Sequence, residues 1–155
     1  MILMIDNYDS FVYNIYQYLL DTTNEPIKCV RNDEISIDEI KVLKPSKIIL
    51  SPGPKHPKDS GICIDILKAN LGIPILGICL GHQAIGLVNG ADIKVLDTPV
   101  HGKTSQIQTQ NNSIIFDGLP SSFSVMRYHS LYVDNLPPNL QATALKVRVN
   151  TILLL

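Results

Sequence analysis

Short apolar runs and helical spacings alternate along the first half of the chain. "ILMID" (2–6) is an unbroken apolar run closed by a carboxylate, the pattern of a parallel strand covered on both faces. Ser10 stands where it can cap a helix in which Phe11, Ile15 and Leu19 recur beside Val12, Tyr16 and Leu20. "IKCVRND" predicts a second strand, and "SIDE" (36–39) is a capping box whose helix stops at Lys44-Pro45. "KIILSPGP" is a third strand that breaks into a Pro/Gly loop. A helix is predicted over about 60–70, ending near Gly72. "IPILGIC" is the fourth strand, and "GHQAIGLVN" the next helix, closed by Asn89-Gly90. This order predicts an α/β fold, a doubly wound and mostly parallel sheet with helices on both faces.

From Ala91 the texture changes. Gly, Pro, Asn and Ser become frequent, and "IKVL", "SQIQTQ", "SIIF" and "FSVMRYHSLYV" are β-rich. They read as an antiparallel β extension in the C-terminal third of the same domain, so residues 1–155 are expected to form a single domain. The last residues, "TALKVRVNTILLL", are strand-like with no closing helix. The chain is therefore expected to stop before its fold is complete.

Composition narrows the classes of function. Charges nearly balance, 13 basic against 14 acidic, with no basic face, which argues against a nucleic-acid partner. Charged residues are 17% and hydrophobic ones 45%, as in a compact globule rather than a disordered chain. No apolar run has the length of a membrane span, and "MILMID" has no basic leader, so neither membrane nor secretion is expected. Cys29, Cys63 and Cys79 are an odd, unpaired set that fits a reducing cytoplasm. No metal-ligand spacing appears, and no cofactor is expected.

"PILGICLGHQAIG" (74–86) carries the sharpest signal. "GICLG" has the form of a nucleophile elbow with cysteine in place of serine. Gly77 and Gly81 permit a tight turn from strand to helix, with Cys79 at the corner. A helix N-terminus favours negative charge, which is expected to lower the thiol pKa. The N–H of Leu80 points where an oxyanion would form, and Gly53 of "SPGP" is placed to bring a second N–H. Cys29 and Cys63 lack that frame and read as buried hydrophobes. Asp6 and Asp9 look like the acidic pair of a phospho-receiver domain, but such a domain needs an aspartate after strand three, where this chain has "SPGP". They read as loop and cap residues.

"DNYDSF", "ILSPGP", "GICLGHQAIG" and "RYHSL", in that order, resemble the class I (triad) glutamine amidotransferases. Within that family they are similar to the small subunits of anthranilate synthase and aminodeoxychorismate synthase, as are "VRND" and "HGKTS". The resemblance spans residue 1 to about 144 and implies a flavodoxin-like amidotransferase fold. It implies that Cys79 attacks the side-chain amide of L-glutamine to form a thioester, releasing ammonia and then glutamate. It gives Leu80 and Gly53 the oxyanion N–H groups, and Gly53, Gln83, Ser130 and Leu131 contacts to the substrate. It further implies a larger chorismate-binding synthase subunit that receives the ammonia, with the "HGKTS" loop (Lys103) and "DNYDSF" as candidate contacts. Each has a plainer reading: Gln83 on a solvent-facing helix surface, "RYHSL" as a strand end, and Lys103 as a solvated loop charge.

The family's triad is completed by His and Glu in a His-Pro-Glu motif, and these 155 residues contain none. The histidines are His56, His82, His101 and His129, none followed by Pro-Glu. His82, three residues after Cys79, is a candidate substitute base, although it matches a family residue that is not the base. Two readings stay open. One is a glutamine-hydrolysing subunit in a truncated sequence. The other is an inactive binding or regulatory subunit of the same fold.

Overall fold

The computed structural model describes residues 1–110 and 113–146. The chain forms two compact units, Met1–Val88 and a second beginning at Asn89.

The first unit is built on a four-stranded parallel sheet in the order β2-β1-β3-β4. Its strands are β1 (Ile2–Asp6), β2 (Ile27–Arg31), β3 (Lys47–Leu50) and β4 (Ile75–Gly77). All five residues of β1 are buried, as an apolar run flanked by parallel neighbours requires. Side chains alternate across the sheet. Leu3, Ile5, Ile48 and Leu50 meet Ile40 of α2 (Ile37–Leu43) and Cys63 and Ile66 of α3 (Ile62–Ala69) on one face. Ile2, Met4 and Ile49 meet Val12 of α1 (Val12–Thr22) on the other. Helices thus cover both faces, as the sequence predicts.

Local chemistry sets the helix ends. The Ser36 capping box forms as expected, with the Ser36 side chain accepting from the Glu39 N–H and the Glu39 carboxylate accepting from the Ser36 N–H. Lys44 closes α2 in the left-handed region (φ 48°), ahead of Pro45. Ser10 does not cap α1. The N-cap is Phe11, without a side-chain cap, and Asp9 braces the preceding turn, its carboxylate accepting from the Phe11 N–H at 2.8 Å and its carbonyl from the Val12 N–H at 3.3 Å. The buried face of α1 is accordingly Val12, Ile15, Tyr16 and Leu19, while Phe11 and Leu20 lie about half exposed.

The second unit holds a three-stranded antiparallel sheet in the order β6-β5-β7. Here β5 is Asp92–Thr109, β6 is Ser122–Asp134 and β7 is Ala144–Lys146. "IKVL" and "SQIQT" join into the single strand β5, because bulges between Val95 and Val100 and between His101 and Lys103 keep its pairing with β6 going. "HGKTS" is therefore strand and not loop, with Lys103 opposite Arg127. "SIIF" forms a 3-10 turn (Ile114–Phe116) rather than a strand. Ile107, Val125 and Ala144 make the core of this unit, with Phe116 and Phe123 against it. The expected strand-like end begins in β7, and the remainder of "KVRVNTILLL" lies outside the described residues.

Candidate active site

The carboxyl ends of β1, β3 and β4 bring together the loops singled out in the first unit. β1 lies between β2 and β3, so the chain reverses its direction of travel across the sheet there, and ligands of such sheets bind at that edge. The crossover into α4 (Leu80–Val88) follows β4 directly.

Cys79 occupies the corner with φ 52°, a left-handed conformation that a non-glycine residue adopts only under strain. Such strain is the mark of a nucleophile elbow. The turn is tied on both sides. The Ile78 N–H donates to the Leu50 carbonyl at 2.9 Å, the Gly81 N–H to the Ile78 carbonyl at 3.0 Å, and the Gln83 N–H to the Cys79 carbonyl at 3.0 Å. The flanking glycines are sterically required. A Cβ on Gly81 would lie 2.3 Å from the Leu50 carbonyl oxygen, and one on Gly77 would lie 2.5 Å from the Gly81 carbonyl carbon. The first turn of α4 therefore rests directly on the backbone of β3 and β4.

The thiol is half-buried, and the Leu80 N–H is directed at it. The helix-terminus argument expects a lowered pKa, and the structure reverses that. Burial pushes the Cys79 thiol up, the Leu80 N–H pulls it down by less, and the nearby Asp9 carboxylate adds to the rise. In this state Cys79 is held as a thiol. Cys63 is wholly buried, pushed up to about 11 by burial, and Cys29 is half-buried and also raised by burial. Both pack in the hydrophobic clusters, as their sequence surroundings imply.

Gly53 meets the elbow. A Cβ there would lie 2.5 Å from Leu80 Cδ2 and 2.6 Å from Asn7 Cβ. The structure thus brings Cys79, Leu80, Gly53 and Gln83 into one neighbourhood. Gln83 is buried rather than solvent-facing. His82, also buried, is pushed down to about 4 by burial, far from the pKa that a general base needs near neutrality. Asp6 and Asp9 are used locally: Asp6 accepts from the Tyr8 N–H at 2.7 Å, and Asp9 from the Phe11 N–H at 2.8 Å in the turn before α1. Asn7 and Ser51 belong to the neighbourhood too. The sequence reading assigns neither a role, although Asn7 stands in "DNYDSF" and Ser51 in "ILSPGP".

In the second unit, Ser130 and Leu131 lie on β6 beside the bulge opposite Val95 and Val100. Ser130 is exposed and Leu131 half-buried. The backbone there is pinned by His129, whose Nδ1 lies 2.8 Å from the Leu131 carbonyl and whose Nε2 accepts from the Arg127 Nε–H at 2.9 Å. Lys103 is exposed on β5. No cluster of His, Cys, Asp or Glu able to hold a metal occurs among the described residues.

A strained cysteine between obligate glycines fits a family already met in the motifs. The family model for glutamine amidotransferase class-I matches residues 3–153. The chain belongs to the class-I glutamine amidotransferase family. It is 52% identical over 147 residues to anthranilate synthase component 2 of Pyropia yezoensis, covering 93% of this chain and 77% of that one. Aminodeoxychorismate synthase component 2 of Escherichia coli K12 is 45% identical, with 93% and 78% covered. Among solved structures, a GMP synthase subunit of Thermoplasma acidophilum superposes with TM-score 0.77 at 27% identity, over 94% of this chain and 72% of that one. A glutamine amidotransferase of Thermotoga maritima has TM-score 0.77 at 17% identity and supports the amidotransferase fold alone. The fold and the glutaminase class expected from the motifs are thereby borne out.

Proposed function

We propose that this amidotransferase chain hydrolyses L-glutamine through Cys79 and delivers the ammonia to a larger subunit that aminates chorismate. The observation that carries this reading is the strained Cys79 corner with the Leu80 N–H aimed at its sulfur. The sulfur forms a bond to the side-chain carbonyl carbon of glutamine, and the amide C–N bond breaks. Ammonia leaves with a proton. Water then adds to the thioester, which releases glutamate and restores the thiol. Leu80 and Gly53 donate N–H groups to the oxyanion, and Gln83, Ser130 and Leu131 contact the substrate. The component 2 relatives support both the substrate and the larger partner. The free cysteines fit a cytoplasmic setting, and no helix among the described residues is long and apolar enough to cross a membrane.

A second reading is a docking subunit of the same fold without turnover of its own. The raised thiol pKa and the low pKa of His82 favour it, because His82, buried near the elbow, is not tuned to take the thiol proton at neutral pH. Glutamate release by the 155-residue polypeptide, measured with and without a chorismate-binding synthase subunit, separates the two. Turnover that Cys79→Ser abolishes supports hydrolysis. Tight association with no turnover supports the docking subunit.

A further inference from the structure

We propose that Asn7, acting with Ser51, is a positioning residue that holds the Gly53 peptide beside Leu80 and so sets the oxyanion donors for Cys79; this rests on the function proposed above.

Asn7 is 2% exposed, immediately after β1, and its side chain is engaged at both ends of the amide. Its backbone N–H donates to Ser51 Oγ at 2.9 Å, and its Nδ2 donates to the Ser51 carbonyl at 2.9 Å. Its Oδ1 accepts from Asn32 Nδ2 at 2.9 Å and from the Cys63 thiol at 3.3 Å. An amide side chain can do both at once, donating through its NH2 and accepting at its oxygen. Asn32 is itself anchored, its N–H donating to the Asp6 carbonyl at 3.0 Å and its carbonyl accepting from the Ile62 N–H at 3.1 Å.

Ser51 is clamped from three directions. Its N–H donates to the Ile5 carbonyl at 3.1 Å, its hydroxyl to the Pro52 carbonyl at 2.8 Å, and its own carbonyl receives Asn7. The next peptide but one is that of Gly53, which has Asn7 on one side and Leu80 on the other. A hydrogen bond from a loop to a buried amide removes the freedom of that loop to swing, and oxyanion donors act only when held in place before the charge forms. Neither Asn7 nor Ser51 touches the reacting atoms. Each acts through Gly53.

Two reagents applied to the full 155-residue chain test this role. A chloromethyl ketone on the glutamine skeleton alkylates sulfur as chloride leaves, and its ketone oxygen needs the oxyanion N–H groups. Methyl methanethiosulfonate forms a mixed disulfide on the same sulfur as methanesulfinate leaves, and carries no carbonyl. Asn7→Asp keeps the acceptor and loses the donor, while Ser51→Ala removes the hydroxyl with little change of volume. Both variants are expected to slow ketone labelling of Cys79 about tenfold or more, with thiosulfonate labelling unchanged. If Asn7→Asp fails to give the wild-type far-ultraviolet circular dichroism, Ser51→Ala decides the matter. Equal slowing with both reagents, or slowing with neither, overturns the proposal. A wild-type chain whose Cys79 reacts with the thiosulfonate but never with the ketone overturns the function proposed above instead, and this positioning role with it.

Discussion

Gly53 lies against Leu80 so closely that a single added carbon would sit 2.5 Å from Leu80 Cδ2. The two residues follow different strands, β3 and β4, and the contact aligns the two backbone segments that flank Cys79. The gap excludes even an alanine methyl, because Asn7 closes it from the other side. Gly53→Ala is therefore expected to move the loop away from the elbow. Ketone labelling of Cys79 should fall much further than thermal stability does. A variant that labels at the wild-type rate would show that Gly53 supplies no oxyanion N–H.

Gly81→Ala tests the same frame from beneath. Its Cβ would strike the Leu50 carbonyl oxygen at 2.3 Å, and backbone cannot rotate aside as a side chain can. Overpacking of this kind costs about 1–3 kcal/mol. Urea denaturation should place Gly81→Ala at least that far below wild type, with Cys79 no longer held at the corner.

The strain at Cys79 has a measurable sign. A left-handed φ costs a residue with a Cβ about 1–2 kcal/mol, and glycine escapes most of it. Cys79→Ala and Cys79→Gly should both lack glutaminase activity. Chemical denaturation should nevertheless find Cys79→Gly the more stable of the two by about 1 kcal/mol. The reverse order would mean that the corner carries no strain.

His82 makes stability depend on pH. Its folded pKa lies near 4, below the ordinary 6.5, because burial disfavours the imidazolium. The unfolded chain therefore binds a proton that the native chain refuses, and stability falls as pH drops from about 6.5 towards 4. A shift of that size corresponds to roughly 3 kcal/mol across the window. His129 is lowered as well, also chiefly by burial, so the useful quantity is the difference between wild type and His82→Gln. The variant should show a shallower loss of stability across that range, measured by denaturation at several pH values. An unchanged slope would remove His82 as its source.

The sequence pattern puts Lys103 on a loop, whereas in the structure it stands exposed on a paired strand. A fixed, exposed cation suits a docking face better than a mobile one, since less side-chain and backbone entropy is lost on binding. Lys103→Glu is expected to weaken association with the chorismate-binding partner proposed above. It should also make salt weaken that association less than it weakens the wild-type one, because the attraction that salt screens is gone, as read by titration calorimetry. Unchanged affinity would take Lys103 out of the interface.

Much of this molecule is written in interactions that span a few residues. The run 2–6, the capping box at Ser36 and Glu39, and the glycines on either side of Cys79 depend on local sterics and nearest hydrogen bonds, so residue order alone determined them. The fold class and the elbow followed from those signals. Tertiary structure decided what depends on distant partners. Asn7 finds Ser51 across 44 residues of chain, and no local pattern marks that pairing. Ser10 does not cap α1, whose N-cap is Phe11, and Asp9 instead accepts from the Phe11 N–H in the turn before the helix. Two β-rich pieces became the single strand β5, because β6 offered a continuous partner that bulges could follow. The Cys79 thiol rose where a helix end would lower it, because desolvation depends on everything packed around the sulfur and not on its neighbours in sequence.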